Sequence, residues 1–332
     1  MNKPFLLRPA AKDYLWGGNR LNNEFAKEID MDPLAETWEC STHPDGPSIV
    51  ASGEYEGETL TDVLRNHPEF VGSHPDSDGS GELPILIKFI DAKSDLSVQV
   101  HPDDEYARKN EGGQRGKTEM WYVLDAKEGT SLIYGLRQTT DKEVLRQAIE
   151  NGSVEKYLQK VSVKKDDLFY IEAGTIHAIG AGALIAEIQE NSNLTYRLYD
   201  YDREDKYGNK RELHIDKALD VANLEGMSEP KQPLRVFKYS QGMARELLTR
   251  CKYFEVYCMV VNTERRQKVT YQADELSFRV LLCVNGCGSV NFKDERGVTD
   301  TLNIYKGDCL FVPASSVEMN IHGQIKFLEV RS

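Results

Sequence analysis

The sequence predicts a mainly β protein, two related jelly-roll barrels or sandwiches in tandem with one small helical insertion. Three observations predict it. From Leu83 onward, short alternating or apolar runs recur between turns, the pattern of packed antiparallel strands. Helical spacing is otherwise concentrated at 141–160, where Val144, Leu145 and Ala148, then Val154, Tyr157, Leu158 and Val161, fall on one face. A segment also repeats. Residues 167–177 lie over 308–318, each an acidic turn, an apolar strand, a second turn and a ligand-type position. His177 ends the first copy and Glu318 the second.

The elements follow in order. Residues 35–41 alternate as a strand, and 57–71 form a short helix with Thr59 or Thr61 as its cap. The polar stretch 74–81 is a loop by composition. Strands are predicted at 84–90, 96–101, 119–124, 131–134, 167–171 and 183–189. Asn151-Gly152 splits the insertion into two helices. Residues 225–246, with Pro230 and Pro233, are mixed and polar and mark a boundary. They divide a domain of residues 1–240 from a second of 241–332. Strands then recur at 254–261, 278–284, 288–292, 301–305, 309–312 and 325–330.

The composition bounds the function. The 332 residues are 40% hydrophobic and 29% charged, an ordinary globular balance. A net charge of −13 argues against nucleic acid and anionic membrane, which need a basic footprint. No apolar run reaches a membrane span, and the first residues lack the apolar stretch of a signal peptide. A cytoplasmic protein is expected, and monomer and homo-oligomer fit the sequence equally. Of six cysteines, five lie in the last third, mostly in apolar runs. They read as buried free thiols, and Cys283 and Cys287 have no further ligands nearby to make a zinc knuckle.

Chemistry concentrates in three places. Gln99 and His101 are two residues apart on a predicted strand, so both face one side. Glu119 follows eighteen residues later, and His177 after a turn. Two His and one carboxylate are the ligand set of a catalytic divalent metal site, suited to zinc and open to other ions. Gln99 is a weaker fourth candidate. The remaining histidines, His43, His67, His74, His214 and His322, have no partner at ligand spacing. Lys117 shares the strand side of Glu119 and reads either as a solvated lysine at a strand start or as a cation for an anionic substrate group. Lys88, inside an apolar strand, either snorkels to an edge or lines a polar pocket. Arg197 stands among Tyr196, Leu198 and Tyr199, a setting where arginine is usually paired or functional.

Together these segments resemble type I mannose-6-phosphate isomerases in their short bacterial form. The resemblance is carried by Pro84-Ile85-Leu86-Ile87-Lys88-Phe89-Ile90-Asp91-Ala92-Lys93, Leu96-Ser97-Val98-Gln99-Val100-His101-Pro102-Asp103-Asp104 and Lys117-Thr118-Glu119-Met120-Trp121-Tyr122. Ala173-Gly174-Thr175-Ile176-His177-Ala178 and Thr195-Tyr196-Arg197-Leu198-Tyr199-Asp200 complete it. The matched motifs keep the family's order over 16–203. The resemblance implies a cupin fold with a second, degenerate cupin-like domain, one zinc ion, and interconversion of mannose 6-phosphate with fructose 6-phosphate through an enediol. By position it makes His101, Glu119 and His177 the zinc ligands, with Gln99 a further ligand in some members. Arg197 matches the family's active-site arginine. Lys88, Lys117, Ser97, Glu36 and Glu187 match polar pocket residues, and Trp16 a tryptophan near the entrance. Glu187 and Lys117 are the candidates for the base. Ile179 departs from the tyrosine of longer eukaryotic members, which removes that hydroxyl from the pocket. Two rivals remain at this point, another metal-dependent cupin enzyme and a non-catalytic protein that binds a sugar phosphate.

Overall fold

The computed structural model describes residues 1–73, 80–204, 207–228, 230, 232, 235–265 and 267–332. Most of the loop expected at 74–81, with His74, and the boundary residue Pro233 lie outside them. Three antiparallel sheets build a cupin fold. A six-stranded sheet contains Glu36–Cys40, Ile85–Asp91, Glu119–Ala126, Leu168–Ile171 and Ala183–Glu190, with Ala10–Lys12 at its edge. A five-stranded sheet contains Val98–Val100, Ser131–Leu136, Leu158–Ser162, His177–Ala178 and Tyr196–Tyr199. The third sheet has ten strands, most of them from the C-terminal third.

The six-stranded sheet is the middle layer, and its sequence shows why. Ile85–Asp91 and Ala183–Glu190 are buried at every position, as strands covered on both faces must be. Alternation sorts their side chains. Ile85, Ile87, Phe89, Leu184, Ala186 and Ile188 pack outward against Val256, Val280, Phe311 and Val330 of the ten-stranded sheet and against Phe278 just before one of its strands. Ile90, Trp121, Val123 and Ile185 turn inward and meet Leu132 and Val161 of the five-stranded sheet. The polar Lys88, Glu119 and Glu187 share that inward parity. On the far side of the five-stranded sheet, Leu145, Ala148 and Ile149 of the helix Lys142–Glu150 cover Val98, Val100 and Leu136, beside Ala218 and Leu219 of the helix Ile215–Val221.

Most expected strands are present within a residue or two of their predicted bounds, and Thr59 caps the helix Leu60–Asn66 by accepting from the Asp62 amide. Three expectations are corrected. The second half of the insertion is a 3-10 turn, Val154–Lys156, followed by the strand Leu158–Ser162. Leu158 packs with the outer helices and Val161 with the barrel interior. Residues three apart share a helix face but take opposite strand faces, so pairing with Ser131–Leu136 overrides the helical spacing. The runs at 278–284 and 288–292 form one strand, Arg279–Lys293, because a register shift between Cys283 and Asn285 absorbs the polar break. Cys287, just past that shift, is exposed, while Cys40, Cys258, Cys283 and Cys309 are buried and Cys251 is partly so; all six are free thiols.

The repeat is visible as two strands, Leu168–Ile171 and Cys309–Val312. They end differently. His177 is fully buried and Glu318 is exposed. The interior of the second barrel is largely apolar, filled by Met259, Leu281, Val290, Leu310, Ile321 and Phe327, with Arg279 and Glu329 buried as an ion pair beside them.

The chain's two extremities meet in the ten-stranded sheet. Phe5–Arg8 pairs with Cys309–Val312, placing Phe5 opposite Phe311. The Phe311 ring stacks on Phe5 at 5.2 Å and on Phe278 at 5.3 Å. Phe311→Ala should therefore cost about 3–5 kcal/mol of stability. Urea unfolding checks this, and a loss below about 1 kcal/mol would show that the cluster repacks around the gap.

Candidate active site

The inward faces of the six- and five-stranded sheets enclose the candidate residues. Val98 and Val100 pack outward, so Gln99 and His101 face inward, as the spacing required. Pro102 and Asp103 end the strand. The Asp103 side chain accepts from the Tyr106 amide and caps the helix Asp104–Asn110. His177 pairs in register with Gln99 on one side and Tyr134 on the other. The turn before it depends on Gly174, whose φ is +87° and whose amide donates to the His101 carbonyl at 2.8 Å. A Cβ there would stand 2.9 Å from the Val221 carbonyl oxygen. Gly116 permits a similar approach, since its Cβ would lie 2.5 Å from the Asp103 carbonyl carbon. Lys117 is thereby fixed, its amide donating to the Pro102 carbonyl at 3.0 Å.

His101, Glu119 and His177 converge, with one ligand atom from each within 4.8 Å of the others and all three residues buried. The tautomers follow from hydrogen bonding. His101 Nδ1 donates to the Leu194 carbonyl and His177 Nδ1 to the Thr175 carbonyl, both at 2.8 Å, because a carbonyl can only accept. Each Nε2 lone pair is left to face Glu119, at 3.5 Å from His101 and 3.4 Å from His177. Burial, with Lys117 close by, pushes both imidazoles down and keeps them neutral. Neither Glu119 oxygen has a hydrogen bond of good geometry, although Lys117 Nζ lies 2.7 Å from Oε2 and 3.1 Å from His101 Nε2. Acceptors facing one another in a dry interior need a cation between them. This donor set fits a divalent ion such as zinc. Gln99 stands beside it, with its amide nitrogen 3.4 Å from His177 Nε2. A flip of that amide presents oxygen instead.

A buried ionic cluster adjoins the three. Lys88 Nζ lies 3.2 Å from Glu187 and 3.8 Å from Glu36, so the lysine lines a pocket and does not snorkel. Lys117 reaches within 4.0 Å of Glu187. The Trp121 indole donates to Glu187 at 2.9 Å and the Trp38 indole to Glu36 at 2.8 Å. Burial alone would protonate Glu187, but Lys117 and Lys88 outweigh it and hold its carboxyl well below the usual range. Glu119, buried and beside Glu187, is pushed up to about 7.

These groups open onto a cavity of about 290 Å³ lined by Trp16, Glu36, Lys88, Ser97, Gln99, Lys117, Ile179, Glu187 and Arg197, near the lower size limit for a small-molecule site. Trp16, expected near an entrance, is buried and stacked on Tyr14. Arg197 Nε donates to Ser97 Oγ at 3.2 Å and Nη1 to the Glu212 carbonyl at 2.8 Å. Burial and repulsion from the neighbouring Arg211 lower its basicity. Sequence reasoning missed four polar lining residues, Tyr14, Asn193, Thr195 and Arg211. All four come from turns or from residues beside short strands, where no periodicity marks the inward face. A larger cleft of about 830 Å³ lies alongside, bordered by His43, Asp104, Arg108 and Tyr253 and sharing Asn193. It contains none of the convergent ligands. His67 and His214 sit elsewhere, against Phe70 and the Arg197 amide respectively, and His322 is exposed.

Comparison with known proteins agrees with the geometry. A family model described as phosphomannose isomerase type I, catalytic domain, matches residues 5–131. The chain is 36% identical to the mannose-6-phosphate isomerase of Streptococcus mutans over 100% of its own length and 99% of the relative's. It is 41% identical to the mannose-6-phosphate isomerase ManA of Bacillus subtilis over 76% of its length and 78% of that protein. The crystal structure of the mannose 6-phosphate isomerase from Bacillus subtilis superposes with a TM-score of 0.87 at 35% identity, covering 99% of both chains.

An ion held by the three residues should stabilise the folded chain. Zinc added to chelator-treated protein at a hundredfold excess over its dissociation constant should contribute about 2.7 kcal/mol, read as a rise in Tm. Glu119→Gln keeps the shape and removes the charge, and should lose most of that rise. An undiminished rise in the variant would put the ion elsewhere.

Proposed function

The chain belongs to the type I mannose-6-phosphate isomerase family, and on that premise we propose that it interconverts mannose 6-phosphate and fructose 6-phosphate in the 290 Å³ cavity beside one zinc ion. The observation that carries this reading is the convergence of His101, Glu119 and His177 on one buried point next to a cavity lined by Lys88, Lys117 and Arg197. His101, Glu119 and His177 would hold the ion, with Gln99 the candidate for a fourth ligand. When bound, zinc would polarise a carbonyl oxygen and stabilise negative charge developing on it.

The reaction moves a proton between C2 and C1 of the open-chain sugar phosphate through an enediol, so it needs a base near both carbons. Glu187 is assigned that role. It lines the cavity, is kept ionised by Lys117 and Lys88, and is oriented by the Trp121 indole. Its lowered basicity is that of the cluster without substrate. Lys117, already paired with Glu119 at 2.7 Å, is assigned to charge stabilisation in place of the base role. Lys88 and Arg197 offset the charge that grows as the proton leaves carbon. Ser97 and Glu36 orient them, and Trp16 walls the cavity and excludes water. The same set favours catalysis over simple binding, since a binding protein would not need an oriented carboxylate beside paired ammoniums.

A coupled assay that detects fructose 6-phosphate formed from mannose 6-phosphate, run with elemental analysis, tests the proposal directly. Chelation should abolish turnover and zinc should restore it, whereas indifference to chelation would remove the metal from the scheme. Arg197→Ala should lose roughly 100-fold or more in kcat with zinc content unchanged; normal turnover would sink its role. Glu187→Gln should lose about 10²–10⁴-fold, and a kcat within threefold of wild type would move the base elsewhere.

A further inference from the structure

We propose that Arg211 is the phosphate-binding residue of this cavity, held in place by Asp200 and sharing the anion with Arg197. The inference rests on the isomerase reading for the identity of the substrate and adds the residue that grips its far end.

The cavity has two unequal cationic regions. Lys88 and Lys117 lie deep and are matched by Glu36, Glu119 and Glu187 within 4.0 Å. Arg197 and Arg211 line the same cavity; among the described residues Arg197 has no carboxylate within 4.0 Å, and Arg211 has only Asp200, which it shares with Arg203. Arg211 donates from Nε and Nη2 to the two oxygens of Asp200, at 2.7 and 2.6 Å. That fork fixes the guanidinium plane and leaves Nη1 without a hydrogen bond among the described residues. Arg197 uses Nε and Nη1 on Ser97 and the Glu212 carbonyl and leaves Nη2 likewise. Asp200 is also shared with Arg203, at 2.5 Å. One buried carboxylate thus serves two arginines while a third stands near enough to repel them. Like charges held together on a cavity wall form a site that an anion completes.

The chemistry selects the anion. A tetrahedral phosphate accepts from several N–H groups at once and suits guanidinium forks better than ammonium points. The two deep lysines face three carboxylates, whereas Arg197, Arg203 and Arg211 stand around one, Asp200, so the phosphate at C6 is left to the arginines, with C1 and C2 towards Glu187 and the three candidate ligands. Asp200 acts as a positioning residue. It does not line the cavity, but it sets which Arg211 nitrogen faces it.

Arg211→Met retains the stem and removes the charge. It should raise KM for mannose 6-phosphate and the inhibition constant of inorganic phosphate by about 10- to 100-fold, with kcat within about threefold. Arg211→Lys should fall between the variant and wild type. Arg108→Gln removes a charge from the neighbouring cleft and should leave both constants unchanged. A merely structural Arg211 would lower Tm and leave phosphate affinity intact, which would overturn the proposal. If Arg211→Met does not fold, Arg211→Lys decides alone, and wild-type phosphate affinity in it would also overturn the proposal. Phosphate binding that depends on Arg211 in a protein that does not isomerise mannose 6-phosphate would sink the isomerase reading and leave the subsite standing. Isomerisation with unaltered phosphate affinity in Arg211→Met would do the reverse.

Discussion

The structure depends on keeping several charges in a sheet that water does not reach. Glu36, Lys88, Lys117, Glu119 and Glu187 are each less than 8% exposed, and strands covered on both faces carry all but Lys117. Three carboxyl groups face two ammoniums, one negative charge in excess. Buried charge is tolerated only when paired and hydrogen-bonded, and indole donors and neighbouring ammoniums satisfy most of these groups. Glu187 Oε1 and the two Glu119 oxygens are the exceptions. A divalent cation there would reverse the excess to one positive charge. The site would then attract an anionic substrate although the whole chain is strongly acidic.

How much of this the sequence showed varies by scale. The strand parity of Gln99 and His101 was legible because alternation is local. The burial of Lys88 was half legible, since an apolar strand forces a lysine either outward or into a polar pocket, and only the register against Glu187 decides which. Residues three apart at Leu158 and Val161 misled, because spacing cannot tell a helix from an edge strand that has found a partner. Arg211 was hidden for a different reason. It lies in a polar, charged stretch that reads as solvated surface, and only contact with Asp200 turns it inward. Convergence of the candidate ligands was an inference from residue type and resemblance. Spacing alone left it open, because Glu119 and His177, fifty-eight residues apart, lie in different sheets and meet only where one sheet packs over the other.

The two barrels share an architecture but divide the labour through the middle sheet. Its inner face is polar and reactive, and its outer face is a layer of Ile, Leu and Phe locked to the second barrel. The second barrel has the strand, the turn and a largely apolar core, with one buried ion pair, Arg279 and Glu329, on the same strand faces. It supplies the hydrophobic backing that lets the first barrel hold charged groups in a rigid layer. A polar interior on one side of a sheet is affordable only with dense packing on the other.

The pairing of Phe5–Arg8 with Cys309–Val312 has a consequence for how the protein is made. A ribosome delivers residues in order, at about 5–20 per second, so the strand at 5–8 is available long before the strand that closes on it. All the candidate ligands are synthesised by residue 177, yet the apolar outer face of the sheet beneath them stays uncovered until the last strands emerge. For that interval the nascent chain carries all the candidate ligands on an unfinished, sticky platform. The strand at 5–8 can complete its pairing, and the outer face of the reactive sheet its cover, only after residues 309–312 have been made.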